Sequence, residues 1–209
     1  MIFLGLTGLI SGTLAVDPRL GSVSPPGVQA GTEVEMRFSG SRLEDAQEIL
    51  FYKKGFEVLK IEEKTASAVR VRVKVSADCP LGEHPVRVRT AGGITELKTF
   101  YVGPFPVVSR VKPKDGEPPQ KLPLNCTIAS SVPNESQEIY TVDAKKGQRL
   151  SAEIESMRLG RGFYDPYIEI LDTKGFILSR SDDTKLFIQD CYASAVVPED
   201  GTYTIKVRE

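Results

Sequence analysis

Val69-Arg70-Val71-Arg72-Val73-Lys74-Val75 decides the fold. Successive side chains of an extended strand point to opposite faces, so this spacing sends four valines to one side and Arg70, Arg72 and Lys74 to the other. A helix would scatter the same valines around its circumference. Val34-Glu35-Met36-Arg37-Phe38 repeats the pattern, with Val34, Met36 and Phe38 on the core side. Asp78-Cys79-Pro80-Leu81-Gly82-Glu83 reads as a turn into Val86-Arg87-Val88-Arg89, and Ala91-Gly92-Gly93 leads to a last strand near Leu97 to Val102. Gly and Pro punctuate this text at the cadence of an antiparallel sandwich. One short helix is expected, at Leu43 to Gln47.

A second series of short runs follows: Leu122 to Ile128, Ile139 to Val142, Leu150 to Ile154, Tyr167 to Leu171, Phe176 to Leu178 and Tyr203 to Val207. Turn chemistry bounds them at Lys145-Lys146-Gly147, Asp172-Thr173-Lys174-Gly175 and Glu199-Asp200-Gly201. Between the two series, six prolines fall from Pro104 to Pro123, the composition of a stiff, solvated connector. The expected fold class is therefore all-β, two β-sandwich domains in tandem. A sandwich takes about 100 residues, and 209 residues accommodate two.

Composition narrows the function. Hydrophobic residues at 40% and charged residues at 26% support a packed core, and a formal net charge of −1 argues against a phosphate-binding surface, so nucleic acid is not an expected partner. Met1 to Ala15 carry no charge, are too few to span a bilayer, and end in Thr13-Leu14-Ala15 before the polar start Asp17-Pro18. Residues 1–16 thus read as a signal-peptide-like segment without its basic n-region, and the expected location is secreted or periplasmic. Cys79, Cys126 and Cys191 form no Cys-x-x-Cys pair, and an odd number cannot pair fully.

The residues then carry a resemblance. Tyr140-Thr141-Val142-Asp143-Ala144, Lys146-Gly147-Gln148, Arg158-Leu159-Gly160, Asp165-Pro166-Tyr167, Ile170-Leu171-Asp172, Ser181-Asp182-Asp183 and Pro198-Glu199-Asp200-Gly201-Thr202-Tyr203 occur in the order found in bacterial pre-peptidase C-terminal (PPC) domains. The second half resembles that family, which implies a jelly-roll-like sandwich appended to exported proteins. The first half is similar to immunoglobulin-like TIG/IPT modules through Ser24-Pro25-Pro26-Gly27, Gly31-Thr32, Phe38-Ser39-Gly40 and Pro80-Leu81-Gly82. The implied organisation is a signal-like segment at 1–16, an Ig-like sandwich at 17–103, a Pro-rich linker at 104–121 and a PPC-like sandwich at 122–209. The PPC sandwich continues beyond the strand at Tyr203 to Val207, so the resemblance implies a missing last strand and a fragment of a larger polypeptide.

The candidate chemistry is sparse. His84, the one histidine, sits without a nucleophile context, and no Gly-x-Ser-x-Gly or His-Glu-x-x-His motif is present. No catalytic residue is assigned, and the chain is not expected to be an enzyme. Among Asp165, Asp172, Asp182, Asp183 and Asp190, loops of a sandwich can gather carboxylates on a hard cation; Asp182, Asp183 and Asp190 are the expected calcium ligands, and calcium the one cofactor considered. Asp165 and Asp172 are better explained as turn residues. Arg70, Arg72, Lys74, Arg87 and Arg89 form an outward basic row that suits an anionic polymer, although interleaved charge on a wet face ordinarily serves solvation. With no Trp, only tyrosines such as Tyr52 or Tyr164 offer a flat sugar platform. Asn125-Cys126-Thr127 and Asn134-Glu135-Ser136 fit the glycosylation sequon, and the resemblance to bacterial families implies that the match is accidental. Tyr203 is expected to pack at a sandwich corner.

The expected function is a non-catalytic accessory, binding or spacer module of a secreted bacterial multidomain protein, contacting extracellular protein or polysaccharide through its loops. The alternative is a processing or targeting region of a secreted peptidase or other hydrolase whose catalytic part lies outside this chain.

Overall fold

The structure is a computed structural model that describes residues 17–130, 136–160, 165–184 and 189–208. The signal-like segment 1–16, Asn134 and Glu135 of the second sequon, and Tyr164 lie outside the described residues. No helix among the described residues is long and apolar enough to cross a membrane.

The first sandwich comprises β1 (Arg19–Ser24), β2 (Gly27–Gln29), β3 (Glu33–Ser41), β4 (Ala46–Phe51), β5 (Phe56–Thr65), β6 (Ala68–Val75), β7 (Gly82–Thr90), β8 (Gly93–Ile94) and β9 (Lys98–Gly103). One sheet runs β1-β3-β6-β5 and the other β2-β9-β7-β4, with β8 beside β7. The chain changes sheets at Ser24-Pro25-Pro26: β1 pairs antiparallel with β3, whereas β2 pairs parallel with β9. Val69, Val71, Val73 and Val75 of β6 are buried as their alternation requires, facing Val86 and Val88 of β7 and Phe100 and Val102 of β9 across the core. Burying each such side chain stabilises the fold by about 1.5–3 kcal/mol.

The segment expected as a helix is a turn. Ala46 N–H donates to the Leu43 carbonyl at 3.1 Å, and Leu43 is fully buried, pinning the turn that opens β4. The sequence Ala46-Gln47-Glu48-Ile49-Leu50-Phe51 has helical propensity, but pairing with β7 recruits it into the sheet, with a bulge between Ala46 and Glu48.

The second sandwich and its approach contain β10 (Val107–Val108), β11 (Gln120–Lys121), β12 (Thr127–Ile128), β13 (Gln137–Ala144), β14 (Arg149–Glu153), β15 (Tyr167–Leu171), β16 (Ile177–Ser181), β17 (Tyr192–Val196) and β18 (Gly201–Arg208). The larger sheet runs β11-β13-β18-β15-β16, opposite a two-stranded sheet of β14 and β17. β18 is bonded to β13 on one side and β15 on the other. Tyr140, Val142, Ile168, Ile170, Cys191, Ala193 and Tyr203 fill the core between the sheets.

The proline-rich stretch is mostly exposed but fastened to this sandwich. β10 pairs parallel with β12 and β11 parallel with β13, Gln120 donates to the Ser109 carbonyl at 2.9 Å, and Arg110 makes a two-pronged contact with Glu138. A connector held at several points transmits orientation, which a freely solvated one does not.

Tyr203 is fully buried, and its hydroxyl donates to the Glu199 carbonyl at 2.7 Å, closing the Glu199-Asp200-Gly201 corner. Tyr203→Phe is expected to cost about 1 kcal/mol, the worth of one such hydrogen bond, read as a lower midpoint in urea unfolding.

Candidate functional site

Among the described residues, the richest cluster of titratable side chains lies at the junction of the two sandwiches. β14 ends at Glu153, and the chain turns through Ile154-Glu155-Ser156 into a single 3₁₀ turn, Met157–Leu159. The first amides of a helical turn have no partner within it. Here Asp190, distant in sequence and fully buried, accepts from Ser156 N–H at 2.9 Å, Met157 N–H at 2.8 Å and Arg158 N–H at 3.2 Å. Gly160 closes the turn at φ +63°, a left-handed conformation that suits glycine, and donates to the Met157 carbonyl.

Asp190 also accepts from Arg158 Nε at 2.8 Å, which fixes the guanidinium. Its Nη2 then donates to Glu153 at 2.8 Å and to the Ile154 carbonyl at 3.1 Å, and it lies 3.7 Å from Glu155. Its Nη1 lies 3.6 Å from Glu83 on β7, in the first sandwich. Arg158 thus joins four carboxylates from both sandwiches. Burial opposes its charge, but the hydrogen bonds it donates to Asp190 and Glu153 outweigh that and raise its pKa.

Glu155 is the strained member. Burial, reinforced by Glu153, Glu83 and Asp190 and opposed by Arg158, pushes its carboxyl up to about 7, and its Oε2 is buried without a hydrogen-bond partner. Tyr101 on β9 faces it; burial and then this carboxylate raise the phenol to about 12. Beside the cluster, a cleft of about 430 Å³ opens between Gly21, Ser22, Val23, Lys98 and Thr99 of the first sandwich and Leu159 and Gly160 of the second.

The structure rearranges the expected calcium set. Asp182 and Asp183 come together with Asp165, one oxygen from each lying within 4.8 Å of the others, and all three side chains are exposed. Asp190 is not among them: its oxygens are occupied by the amides of the 3₁₀ turn and by Arg158. Three exposed carboxylates are also ordinarily solvated, and calcium takes six to eight oxygens. Asp172 is a turn residue, accepting from Lys174 and Phe176 N–H at 2.9 and 2.8 Å.

The basic row divides. Arg70, Arg72 and Lys74 lie on the outer face of one sheet, and Arg87 and Arg89 on the outer face of the other, with the core between them. Arg70 pairs with Glu63 at 2.6 Å, Arg72 with Glu62 at 3.2 Å and Arg89 with Glu48 at 3.0 Å, so much of the charge is met locally. Tyr52 is exposed, with Arg87 placed 6.0 Å from its ring centroid. The three cysteines are free thiols, two buried and one half-buried.

His84 lies within β7 rather than in the preceding turn and is fully buried. Its Nε2 is 2.6 Å from the Pro80 carbonyl, and its ring packs against Phe56 and Phe100 at 4.9 and 5.8 Å between centroids. With the Pro80 carbonyl as acceptor, Nε2 carries the proton, and Nδ1 is buried without a partner.

Glu155 and Arg158 were not marked as site residues by the sequence. Ser156-Met157-Arg158-Leu159-Gly160 did show the Gly that ends a turn, but nothing local announces that its amides are met by Asp190.

A family model described as quinohemoprotein amine dehydrogenase, alpha subunit domain III, matches residues 17–99, the first sandwich. No curated protein matches the chain. Among solved structures, the chain is similar to SGBP-B of the Bacteroides ovatus mixed-linkage glucan utilization locus, in complex with a mixed-linkage heptasaccharide, at 11% identity and a TM-score of 0.36, over 93% of this chain and 75% of that one. It is similar to the Yersinia pseudotuberculosis adhesin InvE at 10% identity and a TM-score of 0.31, over 89% of this chain and 49% of that one. It is similar to the secreted serine protease VesC from Vibrio cholerae at 8% identity and a TM-score of 0.26, over 94% of this chain and 47% of that one. The chain spans about half the length of the latter two.

Asp190→Ala leaves three amides without their acceptor and takes one carboxylate from Arg158, and the expected loss is about 3–5 kcal/mol, measured by urea unfolding. For His84, burial lowers the pKa from its ordinary 6.5, so the unfolded chain takes up a proton before the folded one as pH falls. Its contribution to stability is therefore full above pH 6.5 and is lost as pH drops through the lowered value. The imidazole resonance, followed by NMR, is expected to titrate below pH 6.5.

Proposed function

We propose that the chain is a non-catalytic spacer and binding module of an exported bacterial multidomain protein, in which two sandwiches are clamped in a fixed relation and offer their loops to an extracellular protein or polysaccharide. The observation that carries this reading is the junction. Arg158 ties the 3₁₀ turn of the second sandwich to Glu83 of the first, and β10 with β12 and Arg110 with Glu138 fasten the connector between them. Thr127 lies against both Gly27 and Gly103, so the second sandwich also rests on the end strands of the first. A spacer has use for such a clamp because it preserves the direction in which whatever it carries is presented.

The residues with chemical potential are spent on structure, which supports the same reading: His84 in an aromatic core, Asp190 as a cap and ion-pair partner, Cys79 and Cys191 buried. Export rests on the apolar run at 1–16, and the PPC and TIG/IPT identities rest on the motifs in each half. Calcium at the acidic loops is not needed for the clamp.

Spin labels introduced through non-natural residues at Lys60 and Lys174, both exposed and one on each sandwich, test the clamp by pulsed dipolar spectroscopy at pH 5.5. The intact chain is expected to give one narrow distance distribution, and Arg158→Ala a broad one. A broad distribution for the intact chain would remove the fixed-spacer reading.

A further inference from the structure

Among the described residues, the charges at the junction do not balance. One guanidinium, Arg158, meets Glu83, Glu153, Glu155 and Asp190. Asp190 already accepts from four N–H donors, and Glu153 holds the short contact to Nη2. Glu83 and Glu155 are left to share the guanidinium from opposite sides of the seam, at 3.6 and 3.7 Å. Their like charge is screened least where water is least able to enter, and Glu155 is mostly buried, its side chain only 14% exposed.

We infer that the junction is a proton-operated latch: with Glu155 neutral the two sandwiches close on Arg158, and with Glu155 ionised the surplus of carboxylates across the seam loosens them. This rests on the clamp reading and adds its regulation.

The groups that face Glu155 are Glu153 from β14, Arg158 from the 3₁₀ turn, Glu83 from β7, Tyr101 from β9 and Asp190 from the segment before β17. Lys98 of β9 lines the adjoining cleft. Among the described residues, Arg158 is the one cation that acts on the Glu155 carboxyl, and it donates to Asp190, Glu153 and the Ile154 carbonyl. Opening the seam returns Glu155 to water and toward its ordinary value of 4.5, against about 7 when closed. The closed form therefore binds the proton more tightly. Closure is favoured fully below the ordinary value and is lost as pH rises through the raised one. The closed-to-open ratio is expected to fall by at most about a hundredfold between pH 5 and pH 8, since each unit of pKa difference is a factor of ten.

The doubly labelled full chain separates the outcomes. A narrow distribution at pH 5.5 that broadens by pH 8.5 supports the latch, and so does a Glu155→Gln chain that stays narrow at both. A wild-type distribution equally narrow at both pH values overturns the latch and leaves the clamp intact. A Glu155→Gln chain that still broadens assigns the transition to another group and overturns it too. A wild-type distribution broad at both pH values overturns the clamp itself.

Discussion

The junction of this molecule depends on the carboxylate of Asp190. It is fully buried, and four N–H groups point at it: the amides of Ser156, Met157 and Arg158 and Nε of Arg158. A buried charge without such partners would be costly enough to neutralise or unfold the site. With them, the turn is capped, the guanidinium is oriented, and the second sandwich presents a fixed cation to the first.

The first sandwich shows the same economy at its edge and outer face. β5 is an edge strand that carries Glu57, Lys60, Glu62, Glu63 and Lys64 and two irregularities in its pairing with β6. Charge and bulges of this kind discourage pairing with other chains. The same acidic residues neutralise the basic face of β6, which is why Arg70 and Arg72 read as ion-pair partners and not as a polymer-binding strip.

Several strands were legible because alternation is a property of neighbours in sequence. β3, β6 and β7 could be read from their alternating apolar residues, and the Asp172 and Tyr203 turns from their chemistry. β4, β5 and β17 were not. Ala46 to Phe51 has helical propensity that the pairing with β7 overrides, Phe56 to Thr65 loses its alternation at its two bulges, and Tyr192 to Val196 is built largely from small residues. The candidate site was less legible still. Its members come from β7, β9, β14, the 3₁₀ turn and the segment before β17, and no local pattern links them.

The sequence by itself determined the all-β class and the sandwich core, since side-chain period and turn residues are encoded within a few positions. It also marked Tyr203 as a corner residue. Only the tertiary structure decided that His84 is core, that the basic row splits across two faces, that Asp165 and not Asp190 joins Asp182 and Asp183, and that Arg158 and Glu155 meet Glu83 across a seam. The physical reason is distance along the chain. Burial and ion pairing between residues tens of positions apart depend on which faces the fold brings together, and that information is not local.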